Sequence, residues 1–112
     1  MKQIVAYIKP AVLEQVTEAL RHIDGLSGMS ASENNGFGRG KGADRKRVDS
    51  QINYFSRNVR IEIMVSDAIV WEVVDAIRQQ AWTGEQGDGK IYVLEAVEAV
   101  RIRTNERGAA AV

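Results

Sequence analysis

The sequence predicts an α+β fold: a four-stranded sheet with both helices on one face and a short extra strand at the end. Three observations predict it. Two amphipathic helical stripes, residues 12–23 and 69–81, are each preceded by a short strand-like run. A clean alternation, V-R-I-E-I-M-V at residues 59–65, lies between them. A glycine-rich, basic stretch from Gly36 to Phe55 has no sustained period and interrupts the chain as a long loop. The order β-α-β-loop-β-α-β is that of a ferredoxin-like split βαβ (βαββαβ) sandwich.

In chain order, residues 2–9 read as a strand with Ile4, Ala6 and Ile8 on one face and Val5 and Tyr7 on the other, a pattern that predicts burial on both sides. Pro10 suits the first turn of a helix, where its missing N–H costs nothing. Val12, Leu13, Val16, Ala19, Leu20 and Ile23 then recur at helical spacing as far as Asp24-Gly25. His22 lies beside that stripe and is given no role. Residues 27–35 are polar and weak as a strand, with Met29 and Ala31 as its inward-facing candidates. In the alternating strand Val59, Ile61, Ile63 and Val65 are expected to face the core, and Arg60, Glu62 and Met64 the other way. Asp67 is expected to cap the second helix, whose stripe is Ile69, Val70, Val73, Val74, Ile77 and Ala81. Residues 90–97 form the next strand, 100–103 a short last one, and Gly108 to Val112 a frayed end of a flexible tail over 105–112. Tyr7, Met64, Tyr92 and Leu94 share the far face of the sheet and are too apolar to be left in water, so association between copies is expected to cover them.

A chain of 112 residues with 45% apolar and 27% charged side chains fits one domain, 1–112. The absence of cysteine excludes disulfides and thiolate metal sites, and a single histidine excludes a multi-histidine site unless chains pool ligands. The apolar run at the start is too short for a signal peptide and no stretch is long enough to span a bilayer, so a cytoplasmic protein is expected. Net charge is zero but unevenly spread: residues 39–60 hold seven cations against two anions, which leaves the rest of the chain five negative. A basic loop on an acidic body reads as an arm that seeks a partner.

The chemistry concentrates in T-G-E-Q-G-D-G-K-I-Y-V, residues 83–93, and in R-I-R at 101–103. Glycines let backbone N–H groups approach a ligand closely, and Lys90, Arg101 and Arg103 supply charge-assisted hydrogen bonds; together they suit a phosphate. G-F-G-R-G-K-G at residues 36–42 is a second loop of this kind, though it is neither a Walker loop nor a dinucleotide fingerprint.

These segments, with K-P at Lys9-Pro10, G-F-G-R at Gly36, Phe37, Gly38 and Arg39, and V-R-I-E-I from Val59, resemble the PII signal-transduction family over nearly the whole chain. The Thr-x-x-x-Gly-Asp-Gly-Lys element at Thr83 to Lys90 is the most specific match. The resemblance implies a compact homotrimer with an adenine nucleotide (ADP, AMP or ATP) in each cleft between subunits. It also implies a T-loop, here residues 37–57, that engages or blocks a partner according to the ligand bound. By motif, Lys90, Arg101, Arg103 and Arg39 would hold phosphates, Gly38, Gly87, Asp88 and Gly89 would give close backbone approach, and Tyr7, Glu62 and Met64 would line the adenine end. Gly36 and Phe37 belong to the same binding set.

The chain departs from the family at informative places. Gly40 stands where a glutamine usually helps to hold Mg-ATP and 2-oxoglutarate, and Asn58 stands where a lysine usually pairs with that acid, with Arg57 beside it as a substitute cation. Weak or absent 2-oxoglutarate binding follows. The uridylylation motif Tyr-Arg-Gly-Ala-Glu-Tyr is missing; Tyr54 is in the wrong context and Ser50 is a conceivable phosphorylation site. Such departures resemble PII-like branches that serve membrane transporters, including bicarbonate-linked ones, which makes bicarbonate a candidate second ligand and magnesium doubtful. The alternative is a nitrogen-regulatory PII protein acting on an ammonium channel or a nitrogen-metabolism enzyme. A nucleotide-hydrolysing enzyme is disfavoured, since the signature offers Asp88 alone as a carboxylate, and an RNA-binding module is disfavoured because the strands lack its stacked aromatics.

Overall fold

A computed structural model describes residues 1–37 and 56–112. Gly38, Arg39, Gly40, Gly42, Ser50 and Tyr54, and with them most of the expected T-loop, lie outside the described residues. Those described form β1 (Lys2–Ile8), α1 (Leu13–Arg21), β2 (Ser30–Gly36), β3 (Ser56–Val65), α2 (Val70–Ala81) and β4 (Gly89–Glu95). One 3-10 turn, Pro10–Val12, leads into α1 with proline at its start, as its locked φ and missing N–H favour. The sheet order is β2-β3-β1-β4 with every neighbouring pair antiparallel. This is the expected ferredoxin-like α+β arrangement, with β1 and β3 at the centre.

Periodicity explains the burial. Ile4, Ala6 and Ile8 of β1 and Val59, Ile61, Ile63 and Val65 of β3 point to one face, where Val12, Val16 and Leu20 from the first helical segment and Val70, Val73, Ile77 and Ala81 of α2 close over them. Each such side chain taken wholly from water contributes about 1.5–3 kcal/mol before entropy is counted. The other face follows the opposite phase. In register across it run Ser32, Arg60, Tyr7 and Lys90, then Ser30, Glu62, Val5 and Tyr92, then Met64, Gln3 and Leu94. No helix of the described chain covers this face, and Tyr92 and Leu94 remain 49% and 45% exposed.

The structure corrects five details. Asp67 does not cap α2: its carboxylate accepts from the Met1 amino group at 2.9 Å and pairs with Lys2, while Ile69 occupies the N-cap position. Val100–Arg103 is not a strand. The polar run Thr104 to Glu106 folds the chain back, so that the Asn105 N–H donates to Arg101 O at 2.8 Å, the Arg101 N–H donates to Glu106 O at 2.9 Å, and Val100 bridges Arg107. Beyond it, Gly108–Ala111, where fraying was expected, makes a 3-10 turn. β4 stops at Glu95, and Ala96 donates instead to Met1 O. Residues 30–36, weak as a strand by composition, pair along their length with β3; Ala31 shares the face of Ile61 but stays exposed at the sheet edge, while Met29 packs on the core. A ladder partner satisfies the backbone whatever the side chains are, which is why a polar edge strand can form.

Candidate functional site

The turn between α2 and β4 is held by one carboxylate. Asp88 accepts the Thr83 N–H at 2.7 Å and the Gly84 N–H at 3.0 Å through Oδ2. Through Oδ1 it accepts the Thr83 hydroxyl and faces the Lys9 ammonium at 3.1 Å. A carboxylate has about four lone-pair sites, and all are used. The Thr83 hydroxyl and amide, followed by Lys9 and the Gly84 amide, hold the Asp88 carboxyl well below the usual carboxylate range. Asp88 in turn raises Lys9 above the ordinary lysine value. With its lone pairs engaged in this way, Asp88 organises the turn.

Gly89 is where the turn joins the sheet. It pairs with Ile8, has φ of +109°, and a Cβ placed on it would lie 1.7 Å from the Tyr7 carbonyl oxygen. Only glycine allows β4 to start against β1 at this point. Lys90 follows on the open face, opposite Tyr7. Lys90 has no hydrogen bond or ion pair among the described residues. A cation with no partner among the described residues, next to a bare glycine backbone, is the combination that an anionic oxygen cluster needs.

Arg101 and Arg103 lie elsewhere. β4 carries the chain about 20 Å from Lys90 to Ala96, and the two arginines sit in the hairpin that follows. Arg101 pairs with Glu106 at 3.4 Å and donates to the Ala110 carbonyl oxygen at 3.4 Å, whereas Arg103 has no such partner among the described residues. Neither arginine bonds to the 83–89 turn among the described residues. Along the chain, Lys90 thus stands at the start of β4 and the two arginines follow its far end.

Of the residues assigned to the adenine end, Glu62 and Met64 share the wall of a recess of about 390 Å³ with Gln3, Ser27, Met29 and Ser30. Tyr7 is not part of that wall. It stacks edge-on to Tyr92, ring centres 6.3 Å apart, and lies beneath the Arg60 guanidinium at 5.9 Å. Arg60 also pairs with Glu62 at 2.8 Å, which ties Tyr7 to the recess through two side chains. Gly36 ends β2, with Phe37 next to it. Asn58 is engaged within the sheet, its Oδ1 accepting from Asn34 Nδ2 at 2.9 Å. Arg57, being in phase with Val59 and Ile61, projects from the opposite face and pairs with Glu33 at 3.0 Å. It cannot replace a lysine at position 58, and the expectation of Arg57 as a substitute cation is corrected on this ground. His22 is exposed and pairs with Glu18 at 3.0 Å. Among the described residues no group of three or more His, Asp or Glu side chains gathers as metal ligands.

Two residues escaped sequence reasoning. Lys9 had only its place in the K-P pair to mark it, although its ammonium reaches Thr83, Glu85 and Asp88. Arg60 was expected on the open face, but its contacts there, over the Tyr7 ring and with Glu62, were not foreseen. A signal existed for the first: a threonine five residues before an aspartate, with glycines between, is a turn closed by side-chain-to-backbone hydrogen bonds, and such a turn needs a counter-charge.

Comparison with known proteins identifies the family. The family described as Nitrogen regulatory protein P-II matches residues 1–106. Proteins named Nitrogen regulatory protein P-II from Rhodospirillum rubrum and Bradyrhizobium diazoefficiens are 47% and 48% identical to this chain, with 100% of both chains covered in each case. Nitrogen regulatory protein P-II 1 of Escherichia coli K12 is 45% identical over the same full coverage. The chain therefore belongs to the P-II family, whose members are signal-transduction regulators and not enzymes.

Proposed function

We propose that this protein is an adenine-nucleotide-responsive regulator that works as a homotrimer. It takes ADP, AMP or ATP in the clefts between neighbouring copies and signals to a partner through residues 37–57. The observation that carries the reading is the division of the cations. Lys90 stands at one end of β4, the Arg101–Arg103 hairpin leaves from the other, and a phosphate chain that needs both calls for a second copy to bring them together. The uncovered sheet face with Tyr92 and Leu94 offers the surface for that association. In this reading Lys90, Arg101, Arg103 and Arg39 hold the phosphates, Gly38, Gly87, Asp88 and Gly89 lend close backbone, and Glu62 and Met64 border the base with Tyr7 behind them. Gly36 and Phe37 complete the rim.

Two kinds of partner follow from two observations. The names of the relatives point to nitrogen control, and on that reading the partner is an ammonium channel or a nitrogen-metabolism enzyme. The engagement of Asn58 with Asn34, and of Arg57 on the wrong face, favours weak 2-oxoglutarate binding and with it a transporter partner tuned to another signal, bicarbonate among them. Light scattering and calorimetry with ADP, AMP and ATP test the shared core: a trimer that binds at least one of them is expected, and a monomer indifferent to all three refutes it. Adding 2-oxoglutarate with Mg-ATP, or bicarbonate at constant pH and ionic strength, separates the branches. Tight 2-oxoglutarate binding would establish the nitrogen-control reading.

A further inference from the structure

We propose that Lys9 is a positioning residue for the phosphate-binding turn: it is the strut that fixes residues 83–89 to the end of β1, and not itself a cation that meets the ligand. This rests on the nucleotide-binding reading above. The hydrogen-bond inventory leads to it. A lysine ammonium has three donors, and Lys9 Nζ has three acceptors in reach, Asp88 Oδ1 at 3.1 Å, Thr83 Oγ1 at 3.3 Å and Glu85 Oε2 at 3.4 Å. Asp88 is saturated from its own side by Thr83, Gly84 and Lys9. Lys9 and Asp88 are also sheltered, their side chains 26% and 22% exposed, whereas Glu85 is mostly in solvent. The two lysines near the turn thus divide the work: Lys90 has no partner among the described residues and is able to face an anion, and Lys9 is spent on the scaffold.

The placement explains why a strut is needed. Residues 83–89 contain three glycines, each with positive φ, so the turn has little conformational preference of its own. Gly87 packs within ordinary contact distance of the Lys9 side chain, its virtual Cβ 3.7 Å from Lys9 Cε. Pro10 follows Lys9 directly and begins a fixed 3-10 turn, which anchors the strut's backbone. Without the ammonium, Asp88 and Glu85 lose the counter-charge they share, and the turn loses its tie to the end of β1. A ligand must then order it, which weakens binding through conformational entropy.

Calorimetry on the full-length protein with ADP and with adenosine, for the wild type, Lys9→Met and Lys9→Arg, tests this. Lys9→Met is expected to weaken ADP about tenfold while leaving adenosine unchanged, and Lys9→Arg to recover most of the loss because it restores the charge. Amide hydrogen exchange without ligand is the second readout: Gly84 to Gly89 should exchange faster in Lys9→Met and the β3 core amides should not. Unchanged exchange in that turn, or ADP and adenosine weakened equally, overturns the proposal. If the wild type binds neither ligand, the nucleotide reading fails, and the exchange experiment still decides whether Lys9 is the strut.

Discussion

Replacing Gly89 by alanine tests the junction on which the candidate site depends. A methyl group there would sit 1.7 Å from the Tyr7 carbonyl oxygen, 2.8 Å from its carbon and 3.4 Å from Ile8 Cα. Carbon and oxygen settle no closer than about 3.3 Å, so β1 and β4 must part by roughly 1.5 Å at this end. The neighbouring atoms are backbone, so no side-chain rotation relieves the clash. A positive φ of 109° adds roughly 1–2 kcal/mol for any residue with a Cβ, and each ladder hydrogen bond lost at the Ile8 and Gly89 pairing adds about 1 kcal/mol. The total is about 2–4 kcal/mol, equivalent to a fall in Tm of about 8–16 °C for a chain of this length. Because Lys90 is the next residue, ADP affinity should fall with stability. Urea and thermal unfolding measure the first effect and calorimetry the second. Gly28→Ala is the control for the stability measurement alone, since nothing lies within 4 Å of a Cβ there and its φ is ordinary, while it lines the recess of Glu62 and Met64. A Gly89→Ala protein within about 0.5 kcal/mol of the wild type, inside the range of a neutral surface change, would refute the close-approach reasoning.

Two further outcomes are expected. Asp88 has a depressed folded-state pKa, so its contribution is fully present above the ordinary carboxylate value and is lost as pH falls through the folded one. The stability advantage of the wild type over Asp88→Asn should therefore be level from neutral pH to about 4 and shrink below it; an advantage unchanged in strong acid would show that Asp88 does not act as an ionised lock. Arg57→Ala should change unfolding free energy by less than about 0.5 kcal/mol, because its pair with Glu33 is exposed on both sides. A larger loss in urea titration would give that pair a structural weight the geometry does not suggest.

The readings that held were those set by period. Ile4, Ala6 and Ile8, the alternation from Val59 to Val65 and the α2 stripe from Ile69 to Ala81 all take the faces expected of them, because side-chain direction in a strand or helix follows local geometry. The site was legible as a set of types, glycines and cations, but not as a set of places. Lys90 and the Arg101–Arg103 pair read as one cluster in the sequence, yet the length of β4 separates them. Asp67 reads as a cap and Val100 to Arg103 as a strand, yet a nearby amino group takes the first and the Thr104–Glu106 reversal takes the second.

By itself the sequence determined the order of the elements from β1 to β4, the two faces of the sheet and the chemistry available to a ligand, since all of these follow from spacing along the chain. Only the tertiary structure decided which charges are free. Lys9 and Lys90 are the same residue type on either side of one turn, and no local pattern separates them. The residue that follows β1 and those of the α2–β4 connection, far apart in the chain, had to meet before Thr83, Glu85 and Asp88 could claim the first ammonium, while the second has no partner among the described residues.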